Sequence, residues 1–358
     1  MDDIKKKVYD EAYRRVDNIY RSYIDCFKLQ ESSLEFNIVD KSDIGGKSWC
    51  NEGTDNIEIK KGVFEKSFDY FLQMSQEKNF ELLKLITKEK DEEQIRGMSF
   101  EYVIRDDINE FISGDSKKDD LLISSMLCMF VYRFIFTHEL GHLLNGHCAY
   151  VQYVTNGKLN YMPMYPDNEL ESSDKCISPL DFRTMEMDAD AFAVTDNFRY
   201  IVDIYNNFER MFNKAVNIKP IDIFYWWSLA IRSQFILQQD SFRIKYCCEE
   251  HYYDDMKYLP NIGRWGMIWC IIDRIITEKI YKINFRSGDN EERILKTLMD
   301  GVLNAEKYYN QLKFTNFSFV NEVLNNEDFF TYSSEINNNW NNRLVNVLKK
   351  YARLKLYE

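Results

Sequence analysis

Histidine is scarce in this chain, with four residues among 358. Turn formers are scarce as well: 13 Gly and 5 Pro cannot supply the many tight turns of an all-β sandwich, and a mainly helical protein is the consequence. The eight cysteines (Cys26, Cys50, Cys128, Cys148, Cys176, Cys247, Cys248 and Cys270) form no CxxC pair, so they suggest neither a thiolate zinc site nor a redox motif. No apolar run reaches the length of a membrane span. The longest, "LLISSMLCMFVYRFIF" from Leu121 to Phe136, is too short and carries Arg133. Positive charge is in deficit, with 46 Lys and Arg against 58 Asp and Glu and a net charge of −12. A broad phosphate-neutralising surface is thereby excluded, and neither nucleic acid nor a membrane is an expected partner. The opening "MDDIKKKVYDEAYRRVDNIY" lacks the apolar core of a secretory signal, which places the expected protein in the cytoplasm with reduced cysteines.

What is present is hydrophobic substance: 45% hydrophobic and 15% aromatic residues, enough for a substantial folded core. Residues 1–33 hold an N-terminal amphipathic helix, in which Val8, Ala12, Val16, Ile19, Tyr20 and Tyr23 recur at three- and four-residue steps. Beyond it Leu34, Phe36 and Ile38 alternate with polar neighbours, as do Ile57 and Ile59, with breaks at Gly45-Gly46 and Glu52-Gly53. That pattern predicts a small antiparallel sheet, with helix resuming near Val63. A helix over 121–146 follows, closed by Gly146, and another over about 180–198. Between them lies a proline-bearing loop suited to shaping a cleft. The expected class is α+β, predominantly α-helical, with a core over 34–210 and a C-terminal helical region over 211–358. In that last region the aromatic stretch "IDIFYWWSLAIRSQFIL" reads as core before it reads as a partner surface, and an Asn-rich turn precedes a final helix.

Three of the four histidines fall in "FIFTHELGHLLNGH". On a helix, positions i and i+4 project from one face, so His138 and His142 can meet one metal ion. Glu139 points to the side of that pair, where a carboxylate can reach a water without taking a ligand position. This HExxH spacing supplies two imidazole ligands and a general base for a single Zn2+. A catalytic zinc needs a third protein ligand, and Glu186 in "MEMDADAFA" is the choice. Glu186 and Asp190 are again four apart, so Asp190 can hydrogen-bond the far ring nitrogen of His138 or His142. Ala189, Ala191 and Ala193 keep that helix slim enough to approach its neighbour. His147 competes for the ligand role, but on a continuing helix it lies about 180° from His138 and can share the metal only if the chain bends at Gly146.

HELGH followed by a Glu186-to-Asp190 helix resembles the gluzincin metallopeptidases. "HELGHLLNGH" with "EMDADAFA" and the upstream "NIEIKKGVFEKSF" looks most like Lit-type phage-exclusion peptidases and their ImmA/IrrE relatives. The likeness spans roughly residues 34–264 and rests on short motifs. It implies a zincin-like helical core and a soluble intracellular endopeptidase, bacterial or phage-linked, acting on one protein in phage exclusion or a regulatory cleavage. It also implies that the strand at Asn56–Lys60 is a sheet edge on which substrate adds as an extra strand. Several such families carry an HP…R element whose His stabilises the reaction oxyanion. The comparable "YLPNIGR" keeps Pro260 and Arg264 but has no His, leaving Tyr258 or His251 as the donor. The partner set is a protein or peptide substrate, with an activating protein or peptide motivated by the danger of an unregulated cytoplasmic peptidase. The competing readings are another metal-dependent hydrolase and a non-catalytic zinc-binding interaction or sensor protein.

Overall fold

The computed structural model describes residues 2–29, 32–51, 53–77, 116–157, 161–163, 177–211, 219–243, 261–313, 315–316, 318 and 327–356. It is mostly helical with one small mixed sheet. Helix α1 (Asp2–Phe27) buries the face read from its periodicity, from Val8 to Tyr23. Three strands follow, β1 (Ser33–Val39), β2 (Gly46–Asn51) and β3 (Thr54–Lys60), then α2 (Gly62–Gln76). The motif helix α3 (Ser116–Leu144) leads into α4 (His147–Val154), and a two-residue strand β4 (Met162–Pro163) lies within the expected loop. Helix α5 (Pro179–Asn206) carries Glu186 and Asp190. After a single turn α6 (Phe208–Met211) come α7 (Asp222–Arg243), α8 (Asn261–Thr277), α9 (Glu291–Lys313) and α10 (Glu327–Asn339). A π-helical turn at Trp340–Leu344 joins α10 to the short α11 (Val345–Leu348). Among the described residues no helix is long and apolar enough to cross a membrane.

The sheet order is β1-β3-β2-β4. β2 and β3 form an antiparallel hairpin that turns at Gly53, where φ is +86°. β1 runs parallel to β3, with Phe36 opposite Ile57 and Ile38 opposite Ile59. The sheet is therefore mixed, not antiparallel as the alternation suggested. Alternation assigns residues to faces and is the same for either strand direction, so it could not see this. The expected edge strand is also corrected: Asn56–Lys60 lies inside the sheet, paired on both sides by β1 and β2. Its burial agrees, because Asp55, Asn56, Ile57 and Ile59 are all covered.

α3 is buried on every side from Ile123 onward except at Arg133, as an apolar-all-round helix must be. Arg133 finds its partner in Asp196 of α5 at 2.5 Å, and the same carboxylate accepts from Tyr23 of α1 at 2.6 Å. The start of α5 is well specified: the Ser178 hydroxyl accepts from the Asp181 N–H at 3.1 Å, Pro179 opens the helix, and Asp181 complements its positive end. α3 and α5 come together at Gly141, where a Cβ would stand 3.2 Å from the Phe192 side chain. The small residue that matters most for this approach thus lies on α3. Ala189 and Ala193 are fully buried, whereas Ala191 is partly exposed.

The end of α3 is set by Gly146, at φ +84°. The chain tail crosses there: Arg353 and Leu354 donate their backbone N–H to the Leu144 carbonyl at 2.8 and 3.2 Å. A Cβ on Gly146 would lie 2.5 Å from the Ala352 nitrogen, so glycine is required both for its dihedral and for the tail's passage. The Asn-rich stretch before Trp340 is helical rather than a turn. Asn339 is held there by donating to Asp181 at 3.0 Å and to Thr184 at 2.9 Å, tying the C-terminal helices to the start of α5.

Candidate metal centre

One turn of α3 separates His138 from His142, and their Nε2 atoms stand 3.1 Å apart. Glu186 of α5 faces both rings, with Oε2 at 3.5 Å from His138 Nε2 and Oε1 at 3.3 Å from His142 Nε2. All three side chains are completely buried, and neither Glu186 oxygen has a hydrogen-bond partner. Buried carboxylate oxygens without donors carry a large desolvation cost, which a cation held among them and the two ring nitrogens would offset. The spacing fits this. Two ligand atoms at ordinary tetrahedral zinc distances of about 2.0–2.1 Å stand ~3.3 Å from each other. His138, His142 and Glu186 therefore form a group that could hold a metal ion, as the spacing in sequence predicted.

Glu139 is outside that group. It turns toward β2, where Ser48 donates to its Oε2 at 2.9 Å, and its Oε1 is buried without a partner. Gly46 of β2 leaves the room, since a Cβ there would come within 2.9 Å of Oε1. The alternation of β2 sets this up, putting Gly46 and Ser48 on the covered face. Burial is the chief cause that pushes the Glu139 carboxyl up to about 8, opposed by the positive charge of His138.

Asp190 stands one turn beyond Glu186, with Oδ1 2.9 Å from His138 Nδ1. Of the two rings left open by the sequence, it is His138 whose Nδ1 lies beside Asp190. A carboxylate at Nδ1 keeps the proton there and leaves the Nε2 lone pair for a cation. Arg264 of α8 clamps the same carboxylate with both arms of its guanidinium, Nε to Oδ2 at 2.7 Å and Nη2 to Oδ1 at 2.6 Å. Its Nη2 is also 3.6 Å from Glu186 Oε2. Burial works against the charge on Asp190, yet Arg264 and His138 together hold its carboxyl below the usual range.

With protein groups alone, the two rings divide. Burial disfavours the charged form of both, but His138 faces Asp190 and Glu186 and is raised to about 9. His142 is lowered to about 4, by burial first, although Glu186 pulls the other way. Glu186 is held well below the ordinary carboxylate range by the two imidazoles despite its burial. With protein groups alone, the Glu186 and Asp190 carboxylates are balanced by the His138 ring and the Arg264 guanidinium beside them.

His147 is not in the ligand group. The bend at Gly146 restarts the helix at His147 and brings its Nδ1 to 2.8 Å from His142 Nδ1, on the far side of that ring from Glu186. Its Nε2 is 3.1 Å from Asp188 Oδ2, and Asn145 donates to the same oxygen at 2.6 Å. The other expected catalytic groups, Tyr258 and His251, lie outside the described residues, as does Pro260 of the "YLPNIGR" segment.

Ser48, Asp188 and the clamp by Arg264 on Asp190 were not assigned from sequence. Nothing local marks Ser48, which reaches the centre only through the strand pairing. Asp188 had a visible signal in its position between Glu186 and Asp190. Compared with known proteins, the chain matches no family model, no curated protein and no solved structure.

Proposed function

We propose that this chain is a zinc-dependent endopeptidase of the gluzincin type, hydrolysing a peptide bond in a protein substrate. The observation that carries the reading is the convergence of His138, His142 and Glu186 at tetrahedral spacing, with Glu139 beside the group and outside it. When bound, a single Zn2+ supplies Lewis acidity, activating a water and polarising the scissile carbonyl. Glu139 then takes a proton from the attacking water and passes it to the leaving amine. Ser48 fixes one oxygen of Glu139 and leaves Oε1 for that exchange. Asp190 and Arg264 hold His138 in the tautomer that binds.

Three protein ligands, rather than four, favour a catalytic over a purely structural ion among the described residues. A second reading, in which the site holds zinc without turnover, draws on a specific observation: His138, Glu139, His142 and Glu186 have no exposed surface. For a peptidase, that burial means that substrate entry requires whatever covers Glu139 to move. A protein or peptide activator would fit such a requirement, as would a role in phage exclusion or regulatory cleavage.

The deciding experiment measures metal content and proteolysis on one set of proteins. Wild type should retain about one zinc per chain after loosely held ions are removed, and Glu186→Ala should lose it while staying folded. A proteome-derived peptide mixture should be cut by wild type and spared by Glu139→Gln. Cleavage by Glu139→Gln at the wild-type rate would remove Glu139 as the base, and a zinc-loaded wild type inert in the presence of cell extract would favour the non-catalytic reading.

A further inference from the structure

Each of the two histidine ligands presents its Nε2 to the centre, so each needs its Nδ1 proton held on the opposite side. For His138 the acceptor is direct, Asp190 at 2.9 Å. For His142 no carboxylate stands at Nδ1. The atom there is His147 Nδ1, at 2.8 Å.

With one proton on each ring, one arrangement of the pair leaves His142 able to take a cation. His147 Nε2 makes no hydrogen bond but stands 3.1 Å from Asp188 Oδ2, and a lone pair that close to a carboxylate in a buried site would be repelled. The proton of a neutral His147 therefore belongs on Nε2. Its Nδ1 is then an acceptor, and the short contact to His142 is a hydrogen bond only if His142 Nδ1 donates. That leaves the His142 Nε2 lone pair aimed at His138 Nε2 and Glu186, which is the form a cation requires. The reverse arrangement would put acceptors against each other at Asp188 and a proton into the metal position. Asn145 donates to Asp188 Oδ2 at 2.6 Å and keeps that carboxylate oriented.

We propose that His147 and Asp188 are positioning residues that hold His142 in its metal-binding tautomer through an imidazole relay. The proposal rests on the metal reading above but not on catalysis. Gly146 belongs to the same device, because its left-handed turn is what returns His147 to the flank of His142. The relay differs from the arm at His138 in keeping its carboxylate one ring further from the ion. It orients His142 while adding less negative charge to the ligand than Asp190 gives His138.

The test is zinc affinity of the full chain by chelator competition, with the thermal unfolding of each metal-free variant as a control. His147→Leu and His147→Gln remove the acceptor opposite His142 Nδ1 and should weaken zinc binding about 10–100-fold. His147→Asn places an amide oxygen close to where Nδ1 stood and should stay within about threefold of wild type. Asp188→Asn keeps the shape, removes the charge that fixes the His147 proton, and should fall between, at about five- to tenfold. A part in packing alone would lower the unfolding temperature of the metal-free variants and would not separate Asn from Gln.

Equal affinity in wild type, His147→Gln and Asp188→Asn overturns the relay while leaving the metal site intact. If His147→Leu does not fold, those two variants decide. A wild type that itself retains no zinc overturns the metal reading, and the relay with it.

Discussion

Helices α3 and α7 are both buried almost all round, yet they bury different things. α3 takes His138, Glu139 and His142 to zero exposure and pairs them with groups from β2, α4 and α5. α7 takes Trp226, Trp227, Phe224 and Phe235 to zero exposure together with Ser228, Arg232, Ser233 and Gln234, and Arg232 pairs with Glu306 of α9 at 2.8 Å. Full burial of an aromatic stripe is hydrophobic stabilisation of the core. Full burial of two imidazoles and two carboxylates costs free energy unless a ligand offsets it. The difference separates a helix whose buried charge ties it to a neighbouring core helix from one that gathers ionisable groups at a single site. Substitutions in α7 should act on folding, and those in α3 on metal and turnover.

Glu139→Gln should have the greatest consequence on α3. It should reduce peptide cleavage by at least about a thousandfold while zinc stoichiometry is unchanged, as read by turnover and metal analysis of the same sample. His138→Ala should remove metal and activity together. On the other helix, Trp227→Ala should destabilise by about 3–5 kcal/mol, measured by denaturant unfolding. Any fraction that remains folded should bind zinc as wild type does. A Trp227→Ala protein of unchanged stability but lost zinc would show that the division of labour is wrong.

A middle-sized effect belongs to the joint between fold and site. Gly146→Ala forces a side chain into the left-handed region and into the backbone at Ala352, and should cost about 1–3 kcal/mol. It should also weaken zinc binding, because His147 moves with the turn. Loss of stability at unchanged zinc affinity would separate the two roles of this glycine.

The candidate metal group was legible in the sequence because helical spacing is a local rule: His138 with His142, and Glu186 with Asp190, share faces by i, i+4. Helix α1 and strands β1 and β3 were readable for the same reason. Whatever depends on which elements meet was not. Strand alternation says nothing of direction, so the antiparallel expectation for β1 fails, and the edge position that the family resemblance implies for Asn56–Lys60 fails with it in the mixed sheet. The Asn-rich segment looked like a turn by propensity, but Asn339 is held helical by Asp181 and Thr184, more than 150 residues away in the chain. Ser48 could not be found at all, because its contact with Glu139 spans 91 positions. His147 was seen and its bend at Gly146 was named as the condition for approaching the metal. The bend occurs, and it carries His147 to the outer nitrogen of His142 rather than into the ligand group.

α3 also gives up stability at Glu139 itself. In the metal-free protein burial raises the folded pKa of Glu139 to about 8, whereas an unfolded glutamate titrates near ~4.3. Between those values the native state binds the proton and the unfolded state releases it, so this group's contribution to stability falls as pH rises through about 4.3 to 8. Gln keeps the shape and can still accept from Ser48, but carries no charge to desolvate. Metal-free Glu139→Gln should therefore be more stable than metal-free wild type by about 3 kcal/mol at pH 7, with the gap narrowing to about 1 kcal/mol near pH 5. Chemical denaturation in chelator at the two pH values reads it directly. A gap that is absent, or that widens toward pH 5, would mean that Glu139 is already comfortable as an anion, and that the buried polar side of α3 costs less than its contrast with α7 implies.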